Sequence, residues 1–167
     1  MKNKILDITV LSMLGAVLFA VQIALSVLPN IELVSLLVII YSLFFGKKAL
    51  VPIYIFVFLE GFYYGFSVWW ICYLYIWTLL FVLVMIFSKV KSVIFWSVIS
   101  AGYGLFFGLL CEIPFLFIGG WSMAVAAWIN GIPFDISHCV GNFIACLVLF
   151  KPLYIFFEKI TAKMLTF

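Results

Sequence analysis

The sequence predicts an all-α membrane protein, with six transmembrane helices and both the N- and C-termini cytoplasmic. Three observations carry this expectation. Of the 167 residues, 69% are hydrophobic and only 9% are charged, where a soluble domain averages about 25% charged. The apolar residues fall in blocks close to the roughly 20 that a helix needs to cross a bilayer. All nine lysines fall on one side of a six-span arrangement, and cytoplasmic loops are the ones that carry excess positive charge.

The spans are expected at roughly 5–28, 31–46, 49–66, 68–88, 92–118 and 122–150, as one domain over 1–167. The first block is long, has no clear small-residue cleavage site and is followed by more spans, so it reads as a span and not a signal peptide. Pro29-Asn30 separates it from the second span, which is short. Gly46-Lys47-Lys48 separates the second from the third, and Gly65-Phe66-Ser67 the third from the fourth. Ser88 to Ser92 forms a polar hinge, and Gly119-Gly120 a flexible corner. The last block is long enough to begin as a loop or short helix before its span. Lys2 and Lys4, Lys47 and Lys48, Lys89 and Lys91, and Lys151, Lys159 and Lys163 then share one side. The alternate loops, near Asn30, Ser67 and Gly119, hold none.

Several function classes lack their residues. The positive charge is all lysine and follows the topology, so it gives no sign of nucleic-acid binding. Cys72, Cys111, Cys139 and Cys146 form no C-x-x-C pair and read as apolar core cysteines. Gly46-Lys47-Lys48 lacks the spaced glycine and following Ser/Thr of a phosphate loop. No G-x-S-x-G supports a serine hydrolase, and one histidine cannot build a multi-histidine metal site. No catalytic residue, metal or cofactor is expected.

The polar residues inside the spans are the informative ones, because such groups are expensive at membrane depth and mark substrate or ion pathways. They concentrate between Trp121 and Asn142. Asp135, His138 and Asn142 are spaced i, i+3, i+7 and share one helix face. His138 is either a ligand donor or is held by Asp135 as internal glue. Glu60 lies about 9 Å inside the outer end of its span, at 1.5 Å per residue. Glu112 lies at similar depth beside Pro114. Glu32, Glu60, Glu112 and Asp135 all belong to the outer half and are expected to face a shared cavity. The aromatics Trp69, Trp70, Tyr73, Trp77, Trp121 and Trp128 gather on the same side, where an interfacial belt claims some of them. Rings beside Asn130 and Asp135 suit a planar heterocycle, which needs stacking and a few oriented hydrogen bonds. Glu112, Trp128, Asn130 and Asp135 lead the candidate set, with Trp70, Tyr73, His138, Glu60, Trp121 and Asn142 behind them.

Two rows of small residues complete the pattern. Ser12, Ala16, Ala20 and Ala24 recur every four residues beside Gly15. Such a row lets another helix approach closely, whether a partner's or the chain's own. Ser100, Gly104 and Gly108 form a similar row, read as internal packing.

On these features the chain resembles the substrate-binding S components of energy-coupling factor (ECF) vitamin transporters. The matching features are six spans with both ends inside, the row Ser12, Ala16, Ala20 and Ala24, and the stretch Trp128-Ile-Asn-Gly-Ile-Pro-Phe-Asp135 running to Gly141-Asn142. The similarity covers nearly the whole chain. It implies high-affinity capture of a water-soluble vitamin or related small heterocycle at a bacterial cell membrane. It implies that the small-residue row docks on an ECF transmembrane coupling subunit, driven by two cytoplasmic ATPases. It implies a substrate held in the outer half, under the first outer loop, among spans four to six. The residues themselves also admit a stand-alone facilitator or proton-coupled carrier using Glu60 or Glu112. They admit equally a non-transporting assembly protein whose polar groups only join its helices.

Overall fold

A computed structural model describes residues 4–28 and 31–164. Lys2 and the Pro29-Asn30 break lie outside the described residues. The order of elements is α1 (Lys4–Leu25), α2 (Val34–Phe45), a 3-10 turn (Gly46–Ala49), α3 (Leu50–Tyr64), α4 (Val68–Ile86), α5 (Val93–Leu105), α6 (Phe107–Cys111) and α7 (Ile113–Met164). The described residues contain no strand, so the fold is all-α. Four stretches are long and apolar enough to cross a membrane: Ile5–Leu25, Val34–Tyr64, Val68–Ile86 and Ile113–Ala162. Helix α5 is apolar but shorter.

The core forms around α2. Its residues from Val34 to Ser42 are all buried, as expected of a helix that is hydrophobic all round. It packs against α4 and α7, and α1 packs mainly on α3. The two serines of α2 lie in this interior. Ser42 donates its hydroxyl to the Val38 carbonyl at 2.6 Å, which spares an apolar interior an unpaired hydroxyl. At the start of α2 the Glu32 carboxylate accepts the Ser35 N–H at 2.8 Å. That N–H has no partner within its own helix, and a negative charge is favoured there. At the other end Gly46 adopts φ +53° and donates its N–H to Ser42. That left-handed conformation suits glycine, and it turns the chain through Lys47 and Lys48 into α3.

The expected corner at Gly119-Gly120 is real, because Gly120 has φ +73°. The block 92–118, expected as one span, is instead divided. Helix α5 ends at Leu105, α6 covers five residues, and α7 begins at Ile113. The cause is local. Pro114 has no N–H to donate to the Leu110 carbonyl, the interior bond that a proline deletes. Tyr75 of α4 donates its hydroxyl to that carbonyl at 2.6 Å, so the broken turn is satisfied by a neighbouring helix. The last block also departs from expectation. It is helical straight after Gly120 and runs to Met164, well past the expected end at 150. Pro133 and Pro152 lie inside it without leaving helical geometry.

The row on α5 packs internally, as expected. A Cβ on Gly104 would lie 2.9 Å from the His138 backbone, and one on Gly108 would overlap the Asp135 carboxylate. Close approach of α5 to α7 therefore requires glycine at position 104, where the neighbour is backbone, while a side chain at position 108 would displace the Asp135 carboxylate. One reading of the cysteines is corrected: Cys72 of α4 and Cys111 of α6 are paired as a disulfide, with Cα atoms 5.1 Å apart. They lie 39 residues apart in sequence, so no local motif marks them. Cys139 and Cys146 are free thiols.

Candidate functional site

A cavity of about 210 Å³ lies where the end of α1 and the approach to α2 meet α4, α6 and α7. Its polar and aromatic lining includes Gln22, Ser26, Glu32, Tyr73, Trp77 and His138. Glu32 and His138 meet across it, with Nε2 of His138 3.1 Å from Oε1 of Glu32. The exposures are 7% for Glu32 and 5% for His138. Because the other Glu32 oxygen holds the Ser35 N–H, the carboxylate is fixed at both ends. Phe107 of α6 packs edge-on to the His138 ring, 4.8 Å between centroids, and sets its plane.

Helix α4 supplies the aromatic side. Tyr73 and Trp77 are four residues apart and so share a face. Their rings are perpendicular at 5.6 Å, and Trp77 is 5.6 Å from Phe107 on its other side. The Trp77 indole N–H is buried and has no hydrogen-bond partner within the protein. Buried donors are nearly always paired, so this one stands ready for an acceptor.

Of the ten residues ranked from the sequence as substrate-binding, Tyr73 and His138 line the cavity. Asp135 is buried, but its Oδ1 accepts the Gly108 N–H at 2.9 Å and its Oδ2 has no partner. It therefore fixes α6 to α7. The expectation that Asp135 holds His138 is corrected, since Glu32 takes that role. Asn142 donates to the Ser100 carbonyl at 3.4 Å. Trp70 donates its indole N–H to the Val57 carbonyl at 2.9 Å. Glu60 is buried in α3 with Oε1 unpartnered, and Glu112 is half-buried with Oε2 unpartnered. Trp128 is half-buried, and Asn130 and Trp121 are exposed. The four carboxylates expected to face one cavity are therefore spread out, with only Glu32 lining it.

Gln22, Ser26 and Phe107 are not among the sequence candidates, while Glu32 is expected as one of four carboxylates facing a shared cavity and Trp77 as one of the outer-side aromatics. A signal for two of them was present. Gln22 and Ser26 are polar residues four apart in an apolar block, which places them on one helix face. Ser12, Ala16, Ala20 and Ala24 are all exposed, while Leu11, Gly15 and Leu18 of the same helix are buried. It is Gly15 that makes the close contact within the protein, against Ile55 and the Pro52 carbonyl of α3. Among the described residues no group of histidines, cysteines and carboxylates is placed to hold a metal ion. The chain matches no family model, no curated protein sequence and no solved structure.

Proposed function

We propose that this protein captures a small, water-soluble vitamin or related heterocycle and delivers it inward with an ECF-type coupling subunit and two cytoplasmic ATPases. In this reading it spans a bacterial cell membrane six times with both termini inside. The observation that carries the reading is the cavity itself. It pairs a buried, immobilised carboxylate and imidazole with an aromatic wall and an unmet N–H donor. It also adjoins the α1–α2 connection and α4, α6 and α7, the neighbourhood that the family resemblance implies for substrate. The exposed row Ser12, Ala16, Ala20 and Ala24 supports docking, because small residues with no internal partner leave room for another helix.

A second reading rests on Glu60, which is buried with an unpartnered oxygen. It makes the protein a proton-coupled carrier with that carboxyl as the proton site. One experiment separates the two. The protein is reconstituted in vesicles alone, and then with the coupling subunit and ATPases, and uptake of its co-purifying ligand is followed. ATP-dependent uptake only with partners supports capture and delivery. Uptake by the protein alone, abolished in Glu60→Gln, replaces that reading with the carrier.

A further inference from the structure

Few ionisable groups line the cavity. Its acid is Glu32, and its one basic residue is His138, whose Nε2 already lies 3.1 Å from that carboxylate. Among the described residues no lysine lines it, and the chain contains no arginine. Tyr73, Trp77 and Phe107 also line it, with the Tyr73 and Phe107 rings each packed against Trp77.

Each class of ligand fares differently here. With His138 neutral, an anion would meet a buried carboxylate and, among the described lining residues, no cation to offset the repulsion. A neutral ring would gain stacking alone. A cation gains twice. It is attracted to the carboxylate, whose burial weakens screening by water, and to the aromatic rings of tryptophan, tyrosine and phenylalanine. Glu32 cannot swing away to solvent, because Ser35 N–H and His138 hold both of its oxygens. The geometry is therefore set before any ligand arrives, and that lowers the cost of binding.

Resting on the reading of this cavity as the capture site, we propose that the ligand is a small organic cation. It is a nitrogen heterocycle with a fixed positive charge or a protonated amine, with Glu32 as its counter-ion and the Tyr73–Trp77–Phe107 wall as its stacking surface. At about 210 Å³ the cavity is below the roughly 300–1,000 Å³ of sites for drug-sized ligands. The ligand part that it encloses is accordingly one or two rings.

The test uses three probes of one shape and different charge: 1-methylnicotinamide (cation), nicotinamide (neutral) and nicotinate (anion). Each is titrated by calorimetry into the full-length protein in detergent after extensive dialysis. The expected result is that 1-methylnicotinamide binds at least roughly tenfold tighter than nicotinamide, about 1.4 kcal/mol, and that nicotinate does not bind. Glu32→Gln is expected to erase the preference for the cation, and Trp77→Leu to weaken the cation without inverting the order. Where Glu32→Gln does not melt cooperatively, the ranking by the parent protein decides alone. Equal or weaker binding of the cation, binding of nicotinate, or no binding of any probe overturns the proposal. A neutral or anionic molecule carried through purification in the cavity also overturns it, yet leaves capture standing. Failure of the vesicle experiment removes the capture reading itself.

Discussion

His138 Nε2 lies 3.1 Å from Glu32 Oε1, and this contact joins α7 to the approach to α2 across 106 residues of sequence. Both groups are buried, so each depends on the other. His138→Leu leaves the carboxylate one partner short, a loss of about 1–3 kcal/mol for a buried polar group. Thermal melting in detergent is expected to show that drop. A double-mutant cycle with Glu32→Gln is expected to give a coupling above about 0.5 kcal/mol. Additive effects of the two changes would mean that the pair is not formed in solution.

The two glycines Gly102 and Gly104 are expected to respond in opposite directions. A Cβ on Gly102 meets nothing within 4 Å, while one on Gly104 reaches the His138 backbone at 2.9 Å. Gly102→Ala should be neutral or stabilising by up to about 1 kcal/mol, the helix preference for alanine. Gly104→Ala should destabilise by about 1–3 kcal/mol through overpacking, since backbone cannot yield as a side chain can. Equal melting temperatures for the two variants would contradict the α5–α7 contact.

The row on α1 is expected to affect transport alone. Ala16 and Ala20 are exposed, so Ala16→Trp and Ala20→Trp should shift stability by no more than about 0.5 kcal/mol. Ligand binding should be unchanged, while co-purification with the coupling subunit and uptake are lost. Normal uptake by either variant would leave the row facing lipid with no partner.

The proposed orientation rests on the lysines. With native cysteines replaced, a cysteine at position 47 or 90 should resist a membrane-impermeant maleimide applied to whole cells, and one at 67 should react. Labelling at 47 or 90 from outside would overturn the orientation.

Much of the fold was legible because it depends on local chemistry. Gly46, Gly65 and Gly120 mark three corners, and each adopts positive φ. The Asp135, His138 and Asn142 face follows from helical spacing, and all three residues are buried. The division of α5 from α7 was harder to read. Pro114 signals a missing bond, but only the neighbouring Tyr75 hydroxyl shows how the free carbonyl is satisfied. The site was partly hidden for the same reason. Spacing along α7 pointed to Asp135 as the partner of His138, whereas the real partner, Glu32, is separated from it by most of the chain. Asn130 is a candidate as an amide beside the rings and Trp121 as an outer-side aromatic, yet both are exposed. Gln22 and Ser26 become lining only once the fold brings the end of α1 to the cavity that α4, α6 and α7 also line.

The central claim is that the cavity beside Glu32 and His138 holds a small solute, and native mass spectrometry of the gently purified protein tests it most directly. The account predicts a single adduct of small-molecule mass on the parent chain, retained in Asn130→Ala and depleted in Trp77→Leu at unchanged melting behaviour. A parent spectrum without any adduct, together with no thermal shift across a panel of vitamins and small heterocyclic cations, would contradict it. The polar groups would then serve only to join the helices.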